Sequence, residues 1–526
     1  MTAQVHPDPT GKERIGDLDP AVEATIDALA GRRAVERVWS GDHTLWQDDP
    51  AEVADRLGWL QAAHDSYAAA GEHEAFVAGC ADDGLTHVLV MGMGGSSLFP
   101  EVVARSFAAA GPAATGGGGL ALSVLDTTDP AAISRVAAAL PLERTLFVAS
   151  SKSGSTIETA SHLAYFWELV QRPEQFAVIT DPGSDLGELA RARRFRHVFE
   201  NRPDIGGRYS ALSAFGMVPA ALAGVDVRAL LDGALAMADA LRPGGDPHDH
   251  PGLRLGALLG AAAHAGRDKL TLVLDPEISS FGLWLEQLVA ESTGKQGLGV
   301  VPVVGEPVGA VELYGRDRVF VSIGWHPALD ALAGAGHPVV ELAHEGPYGL
   351  GAHVLLWEFA TAVCGAVLGI NPFDQPDVAA AKAATARMLD GAPPPAGARQ
   401  SLGQLLDTVC PGDYVCVQAY VDPGSPVVAD LEAARARIFE QRQVATTFGL
   451  GPRFLHSTGQ LHKGGPATGV FIQVVGDDAQ DVAIPGRPYG FSRLKHAQAD
   501  GDLETLRSRG LRAGRITVEE LTEGAR

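Results

Sequence analysis

Thr86-His-Val-Leu-Val-Met-Gly-Met-Gly-Gly-Ser-Ser-Leu98 decides how this chain is read. A short apolar run breaks into glycines and serines, then resumes as an amphipathic stretch, the pattern of a buried parallel strand turning into a helix. Leu120-Ala-Leu-Ser-Val-Leu, Thr145-Leu-Phe-Val-Ala and Phe176-Ala-Val-Ile-Thr repeat the apolar run, with amphipathic segments between them. A second series follows in Leu270-Thr-Leu-Val-Leu, Gly299-Val-Val-Pro-Val-Val, Arg318-Val-Phe-Val-Ser-Ile and Val339-Val-Glu-Leu. The alternation predicts an α/β fold: two doubly wound parallel sheets, each covered on both faces by helices, with extra helices around them.

Boundaries follow from changes in texture. Residues 1–80 read as an N-terminal helical segment, with apolar positions three and four apart from about residue 18. The first α/β domain spans 81–240, and the Pro/Gly/His-rich stretch 242–252 separates it from a second domain over 253–485. Gly116-Gly-Gly-Gly reads as a loop between units, and Pro393-Pro-Pro-Ala-Gly as an internal linker. Beyond the linker, Asp413-Tyr-Val-Cys-Val-Gln-Ala-Tyr-Val, Gln443-Val-Ala-Thr-Thr-Phe and Gly469-Val-Phe-Ile-Gln-Val-Val are expected to extend the second sheet. Residues 486–526 read as a C-terminal tail.

Composition narrows the function. The chain has 526 residues, 46% hydrophobic and 20% charged, enough for two or three globular domains. A formal net charge of −23 without a Lys/Arg run argues against nucleic acid or an anionic membrane surface as partner. Four cysteines, Cys80, Cys364, Cys410 and Cys416, form no CxxC pair and read as thiols of a reducing compartment. The start, Met1-Thr-Ala-Gln-Val-His-Pro-Asp-Pro, carries no basic and then apolar leader, and no run is read as a membrane span. A cytoplasmic protein is expected. No HExxH occurs, and Asp246-Pro-His-Asp-His lacks the spacing of a shared metal face, so neither metal nor redox cofactor is implied.

Three motifs carry chemistry. Gly92-Met-Gly-Gly-Ser-Ser-Leu turns tightly after a strand and offers hydroxyls at a helix start. Ser150-Ser-Lys-Ser-Gly-Ser-Thr-Ile-Glu-Thr packs six hydroxyls and one lysine into ten residues at a strand's carboxyl end, where open α/β sheets bind ligands. Both loops are suited to a phosphate. Glu291-Ser-Thr-Gly-Lys-Gln-Gly ends the apolar run Phe281-Gly-Leu-Trp-Leu-Glu-Gln-Leu-Val-Ala, which leaves its carboxylate partly desolvated, as suits a base. Gln287 lies one helical turn earlier, on the same face.

These loops, the Glu291 motif and Gly206-Gly-Arg-Tyr-Ser together resemble the glucose-6-phosphate isomerase family, a fold of two sugar-isomerase (SIS) domains, over roughly residues 85–465. The family's serine loop reads SKTxTTxET, and here Ser151-Lys-Ser-Gly-Ser-Thr-Ile-Glu-Thr keeps the hydroxyls. The resemblance implies that Gly95, Ser96, Ser151, Lys152, Ser153 and Thr156 line the phosphate and sugar site, with Gln287 touching substrate. It implies Glu291 as base and Arg208 beside the reacting carbons. Asn371-Pro-Phe-Asp-Gln-Pro-Asp-Val-Ala-Ala-Ala-Lys resembles FDQxGVExxK and assigns Lys382 to ring opening. Phe454-Leu-His-Ser-Thr-Gly-Gln assigns His456 to the same step, with His462 as a rival, while Glu158 reads as a helix-start charge. The order Glu291, Lys382, His456 departs from the usual glutamate, histidine, lysine and implies a rearranged second domain. The C-terminal region also resembles the variant found fused to transaldolase.

The activity implied by this resemblance is isomerisation of glucose 6-phosphate to fructose 6-phosphate through ring opening and a cis-enediol, without cofactor, in a homodimer. A bifunctional enzyme that also takes mannose 6-phosphate, and a non-catalytic sugar-phosphate sensor, are the alternatives. A sensor would carry a DNA-binding module and a basic face, which this acidic chain does not show.

Overall fold

The computed structural model describes residues 12–111, 114, 118–393 and 400–525; the leader reading, Gly116–Gly117 and residues 394–397 of the linker lie outside them. The strands gather into three sheets rather than two. The first is all parallel, in the order Ala121–Leu125, His87–Met91, Thr145–Ser150, Phe176–Thr180, His197–Glu200, with His87 opposite both Ala121 and Thr145. The second runs Val339–Leu342, Arg318–Ile323, Lys269–Leu274, Val301–Val303 in parallel, and Lys12–Arg14 adds an antiparallel edge.

The runs expected to extend the second sheet make a third one, ordered Ala445–Leu450, Tyr414–Tyr420, Gly469–Val475, Arg512–Ile516 and parallel throughout. Tyr414–Tyr420 is buried at every position, so it needs a helical layer on each face. Val415, Val417, Ile472 and Val474 pack with Leu431, Ile438 and Leu521 in a core of their own. The segment 486–526 is not a loose tail. Its Phe491–Ser508 helix buries Phe491 and Leu494 in the first sheet's core beside Phe147 and Phe166. Leu503 and Leu506 of the same helix pack with Tyr414 and Phe471 of the third sheet.

Among the parallel strands of each sheet the first in sequence is inner, the second lies on one side of it and the third on the other. The winding therefore reverses between His87–Met91 and Thr145–Ser150, between Lys269–Leu274 and Arg318–Ile323, and between Tyr414–Tyr420 and Gly469–Val475. Ligands of open α/β sheets bind outside the strands' carboxyl ends at such reversals.

The N-terminal helices join the helices of the middle of the chain in one large core around Leu350–Leu368. That helix is long and apolar enough to cross a membrane, a length the sequence reading missed, but 83% of its most apolar window is buried inside the protein. Its Glu358 is fully buried with both carboxylate oxygens unbonded, and burial pushes the carboxyl well above the ordinary value, so it stays protonated. The folded chain then holds a proton that the unfolded chain releases above pH 4.5, which costs stability as pH rises. Glu358→Gln should melt close to the natural chain near pH 4 and above it at pH 8. Coincident melting profiles at both pH values would refute a protonated Glu358.

Candidate active site

Both hydroxyl loops lie at the first sheet's reversal, one after His87–Met91 and one after Thr145–Ser150. Gly95 presses on the Gly207–Tyr209 turn so closely that a Cβ there would come 1.8 Å from the Gly207 carbonyl oxygen. Ser96 is buried beside it, and Ser97 donates to Asp126 Oδ2 at 3.1 Å. In the second loop the Ser151 and Thr156 hydroxyls are 3.0 Å apart, and those of Ser153 and Ser155 are 2.9 Å apart. Ser151 is buried, Thr156 half-buried and Ser153 exposed, so the hydroxyls step from the interior outward. Lys152 is not a free cation: it pairs with Asp181 and donates to the Pro203 carbonyl at 2.8 Å. Burial pushes the Asp181 carboxyl up, and Lys152 opposes that.

Glu291 sits near the end of the buried Phe281–Thr293 helix, its side chain 13% exposed. Gln287 Nε2 donates to Glu291 Oε2 at 3.0 Å and to the His456 carbonyl at 2.9 Å. Arg208 Nη1 stands 3.3 Å from Glu291 Oε1, and the guanidinium is almost wholly buried. Its Nε donates to Ser292 Oγ at 2.8 Å, and Nη2 donates to the carbonyls of Pro372 at 2.7 Å and Asp374 at 2.8 Å. Nη1 also donates to Gln375 Oε1 at 3.0 Å. The segment matched to FDQxGVExxK is therefore a clamp on Arg208. Lys295, four residues after the glutamate and not singled out from sequence, pairs with Asp374 at 2.9 Å in the same clamp. Burial, aided by the Arg208 charge, pushes its ammonium down to about 7.

His456 comes from the third sheet, on the Arg453–His456 turn after Ala445–Leu450. Arg453 docks that turn onto the first domain, with Nε 2.7 Å from Asp126 Oδ2 and Nη2 2.8 Å from Glu101 Oε2. His456 Nε2 lies 2.9 Å from Glu158 Oε1, which also accepts from Gln498 Nε2 at 2.6 Å. Glu158 does sit in the first turn of the Ile157–Val170 helix, and it is also a fully buried partner of the histidine. Burial pushes its carboxyl up, yet His456 outweighs this and holds it below the ordinary value. The ring is 20% exposed, and its Nδ1 makes no hydrogen bond among the described residues.

His462 has another environment. It is buried with Nε2 3.7 Å from Cys416 Sγ and Nδ1 3.3 Å from Gln418 Nε2, and burial pushes it well below its ordinary value. It is a neutral core histidine. Lys382 is not joined to this network: it is exposed on the Val378–Leu389 helix, with no hydrogen bond or ion pair to a described residue. All four cysteines are free thiols, and Cys410 alone of them is exposed.

The family model described as phosphoglucose isomerase matches residues 69–302. A glucose-6-phosphate isomerase from Rubrobacter xylanophilus is 32% identical over 58% of this chain and 83% of its own. Another from Gloeothece citriformis is 31% identical over 59% of this chain and 66% of its own. Among solved structures, a hypothetical protein from Thermus thermophilus superposes with a TM-score of 0.62 at 24% identity, covering 73% of this chain and all of that one. A glucose-6-phosphate isomerase from Chlamydia trachomatis gives 0.59 at 20%, over 71% and 86%, so these two share the fold. The chain belongs to the phosphoglucose isomerase family.

Proposed function

We propose that this chain interconverts glucose 6-phosphate and fructose 6-phosphate. One observation carries the reading. A single carboxylate, Glu291, lies 3.3 Å from a buried guanidinium, and Gln287 ties it to the segment that bears His456. The Ser151–Thr156 hydroxyls and the Gly95–Ser96 turn hold the phosphate, so binding of a remote group positions the reacting carbons. Lys152 is a weaker contributor than its charge suggests, because Asp181 already balances it.

Ring opening needs a group that can both give and take a proton. His456 has one nitrogen engaged by Glu158 and the other free, so Nδ1 moves the proton between O5 and O1 while the buried carboxylate steadies the charge on the ring. Glu291 then takes the proton from C2 and returns it to C1 through the cis-enediol. Arg208, fixed by its protein partners before substrate arrives, stabilises the oxyanion that develops. Lys295 positions Arg208 through the loop they share.

Formation of glucose 6-phosphate from fructose 6-phosphate in a coupled assay tests the reading, and no turnover with a folded chain would refute it. Glu291→Gln should keep the binding of a phosphate analogue and lower kcat by about 10³-fold, within the range of a lost general base. Near-natural kcat in that variant would remove Glu291 from its role. Glu158→Gln should slow the cyclic sugar phosphate more than an open-chain one; equal losses on both substrates would mean that the His456 pair has no part in ring opening.

A further inference from the structure

The second sheet has its own reversal, between Lys269–Leu274 and Arg318–Ile323, and the isomerase groups described above do not include the residues there. Asp275 leaves the first of these strands, Glu277 follows in a short turn, and His344 follows the neighbouring strand Val339–Leu342. We propose that Asp275, Glu277 and His344 form a binding site for a divalent cation of the zinc class.

The geometry is that of a shared ligand set. His344 Nε2 lies 3.1 Å from Glu277 Oε2 and 3.8 Å from Asp275 Oδ1, and the three ligand atoms all lie within 4.8 Å of one another. A tetrahedral ion with bonds of about 2.0–2.1 Å holds its ligand atoms roughly 3.3 Å apart, so small side-chain rotations would close the set. Both carboxylates converge on the same ring nitrogen. His248 is the contrast: its Nδ1 meets Glu23 at 2.5 Å and its Nε2 meets Asp27 at 3.1 Å, so those carboxylates stand on different edges of the ring and cannot share one ion through one nitrogen.

The backbone makes room for the set. Gly324 ends the strand between the other two with φ +94°, and a Cβ there would come 3.2 Å from Asp275 Cβ and 3.5 Å from His344 Cβ. A side chain at that position would press on Asp275 and touch His344. Asp275 Oδ1 also accepts the Glu277 N–H at 3.0 Å, which fixes the turn while leaving its other lone pair for an ion. Two carboxylates and one imidazole can match the charge of a divalent cation. The side chains are 34%, 33% and 15% exposed for Asp275, Glu277 and His344, so water can complete the coordination. Three ligands with borderline N and O donors suit zinc better than calcium or magnesium, which take oxygen almost alone. Asp275 and Glu277 are close in the chain but His344 is far from both, so no sequence spacing could have shown the set.

The test is calorimetric titration of the chelator-stripped full chain with zinc chloride, with cobalt absorption as a second signal. Saturable binding of one equivalent is expected, with a rise in melting temperature. Glu277→Gln and His344→Ala should each weaken it by about 100-fold. Asp275→Asn keeps an acceptor for the Glu277 N–H, so a folded variant with weakened binding separates ligation from turn stability. His248→Ala should bind as the natural chain does. Absence of saturable binding, or binding that survives all three ligand substitutions, would overturn the site. None of these outcomes depends on isomerase turnover, so the two proposals fail separately.

Discussion

A guanidinium that is almost wholly out of water must have every bond found for it by the fold, since a buried charge left unpaired costs several kcal/mol. Arg208 is that group, and two other parts of the chain meet its Gly207–Tyr209 turn to satisfy it: Ser292 and Glu291 of the Phe281–Thr293 helix, and the Pro372–Gln375 loop. The carboxylate of Glu291 is one partner among several. A substrate can therefore draw on Glu291 without stranding the arginine. Protein groups alone hold Arg208 in place, which is what the proposed electrostatic stabilisation of a developing oxyanion requires.

The second constraint is the seam between the first and third sheets, which is made of buried charge rather than apolar surface alone. Arg453 bridges Asp126 and Glu101, Lys495 reaches Asp129 at 2.9 Å, and Gln498 bonds Glu158. Each bond has a narrow geometry, so together they set where the Arg453–His456 turn sits. The histidine can follow Lys382 in sequence because it is delivered by a later sheet that docks back onto the first domain.

The loops were legible in the sequence because their chemistry is local. Gly95, Ser151 and Glu291 sit in short motifs whose glycine, hydroxyl and carboxylate content has few other uses at strand and helix ends. The third sheet was not legible in the same way. A strand buried on both faces reads as an apolar run whichever sheet it joins, and only long-range packing of Val415, Ile472 and Leu521 decides that. Glu158 was read at its helix start, where the structure places it, but its burial was not legible: an acidic residue in the first turn of a helix normally answers the helix dipole, and its contact with His456 arises from residues some 300 positions away. Lys382 was the reverse case, a motif match whose side chain the fold leaves in water.

Three sheets wound alike raise the question of why the groups of the proposed site gather at one reversal. Volume does not decide it. A cavity of about 1010 Å³ opens at the third sheet's carboxyl edge, between Asp129, Asp422, Asp478, Arg507 and Arg515, where neither hydroxyl loop reaches. The first sheet joins two hydroxyl-bearing turns at its reversal, against a carboxylate from the second region and a histidine from the third. An anion-binding edge without the other two groups would hold a sugar phosphate and leave it unchanged. If the proposed site carries the reaction, its groups are brought together by the packing of three units, so a change at Arg453 or Lys495 should act through the place of His456, although neither side chain belongs to the first sheet's loops.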